Sequence, residues 1–285
     1  CACLVGSEMC IRDRSKDARI RLLLSLSANL KVTDWLTLQA RGNLDHSADK
    51  LRQKFYASTA TALCGMNGRY IEMDYQETQM YGDVMAMVKK QLNDFTLDVA
   101  IGGSINDRIT NSTRIDSKNA SLKYANVFNL ANIVMSSSAS IDQKIDAHYQ
   151  LQSVFATAQI GYKEGVFLDL TARNDWSSTL AYTKYEKKGF FYPSVGVSFL
   201  PDKWVKMPEW VSFSKLRGAY SIVGNGVPPF ITYPVSYVTA GGEILASDAA
   251  PFAEMKPEMT HSVELGMEWK FLQHRLGLNL TYYRT

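Results

Sequence analysis

The 285-residue chain carries 31 basic and 28 acidic residues, a formal net charge of +3. This balance, with no block of like charges, argues against a protein that binds nucleic acid by neutralising its phosphates. No run of 18 or more apolar residues occurs, which excludes a predicted transmembrane helix. Membrane-spanning strands stay possible, because such strands carry apolar residues only at every second position.

The first 14 residues differ from the rest of the chain. Three of the four cysteines lie within them, at Cys1, Cys3 and Cys10. These cysteines lack the second close-spaced pair of a structural zinc site, and the run "CLV" is too short for a secretory signal. The string "LVGSEMCIRDR" resembles translated sequencing-adapter read-through. We therefore expect residues 1–14 to be a non-native head on a truncated gene product, and residues 15–285 to carry the fold.

Period-two alternation of apolar and polar residues follows this head. Apolar side chains fall on one parity at Ile20, Leu22, Leu24, Leu26, Ala28 and Leu30. After the short segment "TDW" the pattern returns at Leu36, Leu38, Ala40, Gly42 and Leu44. A helix would scatter these residues around its circumference, whereas a strand places them on one face. The pattern therefore predicts a β-hairpin with strands of about ten residues.

The same unit recurs along the chain. Apolar alternation covers residues 95–105, 166–172, 195–199, 216–222, 263–271 and 276–282, and further strands are predicted at 78–91 and 151–162. Together these segments predict about ten strands in five hairpins. The links within hairpins are "TDW", "LND", "KEG", "LQHR" and the longer "PDKWVKMPEWVSF". The links between hairpins are long and polar, at roughly residues 46–70, 106–148, 174–190 and 224–258.

Strands of about nine to eleven residues, with short turns at one end and long loops at the other, are typical of outer-membrane barrels. A soluble β-sandwich also alternates, but its strands are shorter and its loops do not sort by end. We therefore predict an all-β fold, an open segment of an antiparallel transmembrane β-barrel.

Four ordered blocks within residues 170–285 resemble a known family. They read "LTARNDWSSTL", "FFYPSVGVSFLPDKW", "SKLRGAYSIVGN" and "KPEMTHSVELGMEWKFLQHRLGLNLTYY". The positions that match are Arg173, Asp175, Ser177, Pro193, Ser194, Leu216, Arg217, Gly218, Gly224 and Asn225, with a looser fourth block. In order and spacing, these blocks resemble the SusC/RagA-type TonB-linked outer-membrane transporters of Bacteroidota.

The resemblance implies a plugged barrel of about 22 strands in the cell outer membrane. Residues 15–285 would then be a partial TonB-dependent receptor barrel. The implied partners are TonB, acting through a missing N-terminal region, a SusD-like surface lipoprotein that closes the extracellular mouth, and outer-membrane lipid. The implied function is active uptake of oligosaccharides or peptides. A passive porin and a soluble β-rich cell-surface binding module are the alternatives.

Two sets of residues are candidates for contact with a substrate. Charged residues on the polar parity would face the lumen, at Arg41, Asp98, Asp169, Arg173, Arg217, Glu264 and Glu268. Any wide barrel has a hydrated polar lumen, so each is first expected to be an ordinary lumen residue. Aromatic residues in the long loops would contact substrate or the lipoprotein lid, at Trp176, Tyr182, Phe230, Tyr233 and Tyr237.

Other aromatic residues near strand ends are predicted to form an interfacial girdle, at Trp35, Trp204, Trp210, Trp269 and Tyr282. Catalysis finds no support, because no histidine stands in a metal-ligand spacing and no G-x-S-x-G motif occurs. The segment "GNGVPP" lacks the lysine of a phosphate-binding loop and is expected to be a turn. We expect neither enzymatic activity nor a cofactor.

Overall fold

A computed structural model describes residues 13–285, except for 61, 119–121, 135–139, 233–235, 239–241 and 248–251, and only the backbone of Ser140 and Tyr237. The head predicted at residues 1–14 therefore lies almost wholly outside the described residues. No helix in the described ranges is long and apolar enough to cross a membrane.

Twelve strands make up the described secondary structure, apart from short 3-10 turns. They are β1 (Arg14–Lys31), β2 (Leu36–Phe55), β3 (Arg69–Leu92), β4 (Phe95–Asp116), β5 (Ser140–Tyr162), β6 (Val166–Ser177), β7 (Phe190–Phe199), β8 (Val211–Asn225), β9 (Tyr237–Val238), β10 (Ile244–Leu245), β11 (Glu258–Phe271) and β12 (Leu276–Arg284). Ten of them form one antiparallel sheet in the order β1-β2-β3-β4-β5-β6-β7-β8-β11-β12, and β9 pairs with β10. The predicted ten strands in five hairpins, and the open all-β architecture, are confirmed.

The cross-strand register divides the sheet into two faces, because paired residues on neighbouring strands share a face. One row of partners across β1 to β7 is Leu30, Leu38, Ala86, Ile101, Ala156, Ala172 and Pro193. We call the side that carries this row the apolar face. Another row is Ser27, Arg41, Asp83, Ser104, Ser153, Asp175 and Phe190. The side that carries it is the polar face.

The apolar face is open to its surroundings. Ile20 and Leu26 on β1 are 75% and 81% exposed, and exposed apolar side chains continue across the sheet at Val84, Ile101, Val154, Leu170, Val195 and Leu265. A water-soluble domain rarely exposes a continuous apolar surface of this size. The apolar run of β4 from Phe95 to Ile105 covers a height of about 25 Å when the strand is tilted as in barrels, which matches the lipid-facing band of outer-membrane proteins. The apolar face is therefore the lipid-facing surface.

Short and long connections lie at opposite ends of the sheet. At the turn end, the connections 32–35, 93–94, 163–165 and 272–275 have two to four residues each, and the connection 200–210 is longer, with eleven. The connections at the loop end are residues 56–68, 117–139, 178–189 and 226–257. At the turn between β3 and β4, Asn93 takes a positive φ of 52°, which suits a two-residue hairpin turn.

The predicted strand lengths were wrong for β1 to β5, which have 18 to 24 residues instead of about ten. The first two long loops are correspondingly shorter than predicted. The added residues lie at the loop end, where polar side chains occupy both faces. On one face of that region, Lys50 pairs with Asp74 and Arg52 with Glu72. The period-two hydrophobic pattern ends there although the backbone pairing continues. The pattern therefore could not predict the full length of these strands.

Candidate functional site

All seven charged candidates of the sequence analysis lie on the polar face. Their register places them on the same side as the row through Arg41 and Asp83. Each of them also bonds a partner within the same sheet, as the following contacts show.

Arg41 on β2 binds Asp83, its cross-strand partner on β3. The guanidinium Nε lies 3.1 Å from Oδ1 and 3.0 Å from Oδ2 of the carboxylate. The Asp83 side chain is 0% exposed, whereas 44% of the Arg41 side chain is exposed. A buried carboxylate needs such a partner, because an uncompensated charge is costly to remove from water. Arg41 thus compensates a charge that belongs to the barrel itself.

The turn-end half of the polar face holds two further candidates. Asp98 on β4 forms an ion pair with Lys89 on β3 at 3.0 Å. Asp169 on β6 accepts a hydrogen bond of 2.7 Å from the Nε2 amide of Gln159 on β5. Both contacts join neighbouring strands.

Arg173 links the β5 and β6 strands near the loop end. Its Nε donates to Asp175 Oδ1 at 2.7 Å, and its Nη2 donates to Ser153 Oγ at 2.8 Å. Ser153 is 3% exposed and lies directly opposite Asp175 in the register. The first block of the family resemblance is therefore a hydrogen-bonded unit on the polar face.

Arg217 on β8 reaches across β11 to β12. Gly266 is its register partner, and the Arg217 side chain occupies the space that a Cβ at position 266 would need. The guanidinium Nη2 then lies 3.1 Å from Glu264 Oε1 and 2.9 Å from Thr281 Oγ1. The missing Cβ at Gly266 is what allows Arg217 on β8 to contact both β11 and β12. The last candidate, Glu268, pairs with Lys270 on its own strand at 3.2 Å.

The other family-motif positions named here have structural roles along β6, β7 and β8. The Ser177 hydroxyl caps the 3-10 turn Ser178–Leu180 by accepting from Thr179 N at 3.3 Å. Pro193 has no N–H to donate, and the described β7 to β8 ladder runs from Ser194 to Phe199, which leaves Pro193 just outside it. Leu216 and Gly218 lie on the apolar face opposite Met267 and Leu265, and Asn225 pairs with Glu258 at the end of β8.

Aromatic rings collect at the turn end of the sheet. The centroids of Phe95 and Tyr162 are 4.7 Å apart, and Trp204 follows at 5.6 Å from Tyr162. Trp210 stacks on Phe271 at 5.6 Å. Trp269 lies 6.2 Å from Phe271, and the Lys90 ammonium lies 6.0 Å from the Trp35 ring. Four of the five predicted girdle residues are thus at one border of the apolar band, where aromatic side chains are favoured. Tyr282 lies on the apolar face opposite Leu265.

Trp176 was wrongly predicted to lie in an extracellular loop. β6 continues to Ser177, and Trp176 pairs there with Gln152 on β5. Its position therefore has the parity of Leu168 and Leu170, which places it on the apolar face. An extended strand keeps its alternation, so Trp176 faces the lipid side and not the substrate path.

The described parts of two connections at the loop end, residues 56–60, 62–68, 117–118 and 122–134, pack into one small unit. Its core contains Tyr70, Leu122 and Ile133, with Phe128 packed against them. The Asn132 side chain donates to the carbonyls of Tyr124 and Val127 at 2.8 and 2.7 Å. We call this unit the loop cap. Its internal bonds give the long connection a defined conformation.

Buried ionisable groups support the loop cap, outside the membrane-spanning part of the sheet. Burial alone would raise the pKa of Asp116, but the bonds from Arg69, Lys118 N and Arg114 outweigh it and hold that pKa below its usual value. Burial and the hydrogen bond to Glu72 raise the pKa of Tyr70 to about 12. Burial likewise raises the pKa of the Cys64 thiol, which is 1% exposed.

Residues 178–189 contact the described parts of the connection that follows β8, residues 226–232, 236–238, 242–247 and 252–257, in a second unit. Lys184 N donates to Ala253 O at 2.9 Å, and the Lys184 ammonium pairs with Glu254. Thr232 Oγ1 contacts Thr179 O at 3.4 Å. We call this unit the second loop group. Two of its predicted contact residues, Tyr182 and Phe230, are 68% and 43% exposed and take positive φ angles. Tyr233 lies outside the described residues, and Tyr237 is described only as backbone in β9.

Sequence reasoning did not identify the residues to which the charged candidates are hydrogen-bonded. Asp83, Ser153 and Thr281 all fall on the polar parity, which the alternation could have shown. Their pairing depends on the register between strands, and the sequence does not contain that directly. Among the residues that the structure describes, no group of three or more metal-ligating side chains comes together. The polar face can hold water and form hydrogen bonds.

Comparison with known proteins agrees with this geometry. A family model described as "TonB dependent receptor-like, beta-barrel" matches residues 11–285. The structure of the RagAB peptide transporter superposes with a TM-score of 0.81 at 18% identity, over 96% of this chain and 30% of that chain. The siderophore receptor PiuA from Acinetobacter baumannii gives a TM-score of 0.56 at 13% identity, over 95% of this chain and 40% of that chain. No curated protein matches the sequence.

The chain thus spans 30% of the length of the RagAB transporter chain it superposes on. At identities of 18% and 13%, the two structures support the shared fold alone. Peptide transport is a property of RagAB, and the siderophore is the ligand of PiuA.

Proposed function

Since this chain belongs to the TonB dependent receptor-like β-barrel family, we propose that it forms part of the barrel of an outer-membrane transporter that imports oligosaccharides or peptides with energy delivered through TonB. The chain's own share is structural. Its apolar face separates the lumen from lipid, its polar face lines the lumen, and its long connections form part of the extracellular mouth. We propose no enzymatic role.

One observation carries this proposal: the ten-stranded sheet has an apolar face and a polar face that extend across every strand, with short turns at one end. An apolar band about 25 Å high on one side and hydrogen-bonded charges on the other suit a wall between lipid and a hydrated lumen. A sheet in a soluble sandwich would instead bury its apolar face against a second sheet.

A SusD-like lipoprotein lid is the proposed partner at the mouth. The second loop group exposes apolar side chains at Tyr182, Phe230, Ile231, Val238, Ile244, Leu245 and Phe252. Exposed apolar groups at the mouth suit a protein interface. RagAB is a peptide transporter, and the shared fold supports a peptide cargo for this chain by analogy.

Energy dependence tests the transport class. The intact gene would be expressed in its host, and uptake of a fluorescent peptide mixture and a fluorescent oligosaccharide mixture would be measured with and without a protonophore. Active import predicts that uptake of one mixture stops when the protonmotive force collapses. Uptake that continues unchanged would indicate a passive porin. A protein that partitions into buffer without detergent would indicate the soluble binding module.

The lid contact has its own test. A tagged intact transporter would be used to capture the product of a neighbouring SusD-like gene from detergent-solubilised membranes. We expect Tyr182→Ser combined with Phe230→Ser to lower the recovered lipoprotein. Met66→Ser is the matched control, because Met66 is 85% exposed but lies in the loop cap. Equal recovery from the double variant and the control would place the contact elsewhere.

A further inference from the structure

A group of basic side chains lies on the apolar face, where the apolar run of β1 ends. The register places Ala18 of β1 opposite Lys50 of β2, and Lys16 opposite Arg52. Lys54 follows two positions after Arg52 and therefore shares its face. All these positions have the parity of the exposed apolar residues of β1, so they continue the lipid-facing surface toward the loop end. We call Lys16, Lys50, Arg52 and Lys54 the basic patch.

Two carboxylates on the neighbouring strand β3 balance only half of this charge. The Lys50 ammonium lies 3.3 Å from Asp74 Oδ1. Arg52 donates from Nε and Nη2 to Glu72 Oε1, at 2.9 and 2.7 Å. These two contacts fix the inner cations of the basic patch against β3. The patch therefore keeps an excess of positive charge on its side toward β1.

The excess charge belongs to Lys16 and Lys54. Neither of them has a carboxylate within ion-pair distance in the described part of the chain. The Lys54 ammonium lies 5.7 Å from the ring centroid of Phe128 in the loop cap. Lys16 is exposed and lies opposite Arg52. Like charges directly opposite each other destabilise an antiparallel pair. An anion bound between them would remove this repulsion.

The position of the basic patch indicates which anion it takes. Along β1, every second residue from Leu30 to Ala18 is apolar, and Lys16 is the next position on that face. A lipid whose acyl chains lie against the apolar face has its headgroup at the end of the apolar band. Lysine and arginine both bind phosphate oxygens with charge-assisted hydrogen bonds. A lipid phosphate can thus contact the basic patch while its acyl chains contact the apolar face.

We propose that the basic patch binds the phosphate groups of lipid headgroups in the leaflet that meets the loop end of the barrel. The inference depends on the apolar face meeting lipid, and it depends neither on the cargo nor on energised uptake. Bound lipid phosphate neutralises the excess charge of the patch. It also holds this side of the barrel at a fixed depth, by charge as well as by apolar contact.

Lipid retention by the intact transporter tests the proposal. The protein would be purified in a neutral detergent and mixed with phosphatidic acid, which carries a phosphate monoester, and with phosphatidylcholine, whose headgroup has no net charge. Native mass spectrometry would count the bound lipids. We expect the wild type to retain phosphatidic acid preferentially. Equal retention of the two lipids would overturn the proposal.

Lys16→Gln combined with Lys54→Gln is the variant that removes the excess charge. We expect it to raise the dissociation constant for phosphatidic acid about fivefold for each lysine removed. Lys187→Gln combined with Lys188→Gln is the matched control. Lys187 is exposed, and the Lys188 ammonium lies 5.6 Å from the Tyr185 ring, so the control removes the same charge from the second loop group. Equal loss in both double variants would show that net charge alone governs retention, and would overturn the proposal.

A variant with the opposite expected effect separates binding from damage to the fold. Asp74→Asn removes the carboxylate that faces Lys50, so it should tighten the binding of phosphatidic acid. A destabilised protein would not bind the lipid more tightly. If the lysine variants fail to fold, this variant decides alone, and unchanged or weaker binding would overturn the proposal.

Inorganic phosphate distinguishes a lipid from a soluble anion. Added at the concentration of the lipid, it should leave phosphatidic acid bound, because a free ion makes no contact with the apolar face. Displacement of the lipid at that concentration would assign the basic patch to a soluble anion and overturn the proposal. A wild type without energised uptake would refute the proposed function, whereas lipid retention would still decide the role of the patch.

Discussion

The Tyr192 ring lies against the backbone of Gly224, and its Cε1, Cζ and hydroxyl atoms occupy the space that a Cβ at position 224 would need. The two residues belong to separate blocks of the family resemblance, one on β7 and one on β8. Their contact explains why a glycine stands at this place, near the loop end of both strands. An aromatic side chain covering a strand glycine is a recurrent way of stabilising barrel strands.

Gly224→Ala should therefore destabilise the barrel. The added methyl group forces the Tyr192 ring away, and overpacking of this kind costs about 1 to 3 kcal/mol. The measurement is the urea midpoint of the protein refolded in lipid vesicles. Gly226→Ala is the control, because nothing lies within 4 Å of a Cβ added there. Equal midpoints for the two variants would contradict the contact.

If the apolar face meets lipid, the cost of a lysine substitution should depend strongly on which face carries it. Lysine at Leu24, Val99 or Leu168 places a charge on the apolar face and should cost about 2 to 4 kcal/mol near the middle of the bilayer. Lysine at Ser25 or Thr171 lies on the polar face and should have only a mild effect on insertion. The measurement is the fraction of protein inserted into outer membranes. Similar insertion defects in both sets would refute the assignment of the faces.

Removing one partner of the Arg41–Asp83 pair should destabilise the protein more than removing both. Arg41→Gln leaves the Asp83 carboxylate, whose side chain is 0% exposed, without its cation. We expect a lower urea midpoint in this variant, because a buried charge without a partner destabilises the fold. Arg41→Gln combined with Asp83→Asn should recover most of the loss. The idea fails if the double variant unfolds at lower urea than the single one.

The loop cap should loosen at acid pH. The pKa of Asp116 is lowered in the folded protein by Arg69, Lys118 N and Arg114, despite the opposing effect of burial. A lowered folded-state pKa contributes stability that is full above the unfolded value of about 3.9 and is lost as pH falls through the folded value. Hydrogen exchange of residues 122–134, corrected for intrinsic rates, should therefore increase below about pH 4.

Asp116→Asn is the control for this acid effect. It removes the titrating carboxyl and its ion pairs with Arg69 and Arg114. The variant should exchange faster than the wild type at neutral pH and show little further change on acidification. If the wild type kept the same protection from neutral pH to about pH 3, well below the unfolded value, Asp116 would not support the loop cap.

Period-two alternation was sufficient to predict the strands that cross the membrane. From Phe95 to Ile105, for example, lipid on one side and water on the other require a different residue type at each successive position. The same parity correctly placed Arg41, Arg173 and Glu264 on the polar face. When a strand separates two different solvents, its own residues show which face meets which solvent.

Only the tertiary structure decided what those side chains contact. The extension of β2 to Phe55, the lipid-side position of Trp176, and the path of Arg217 over Gly266 all depend on pairing between strands. Beyond the membrane both faces meet water, so alternation is no longer required and the sequence signal ends while the backbone hydrogen bonds continue. Register is a relation between segments, and the contacts between residues far apart in the chain arise from it.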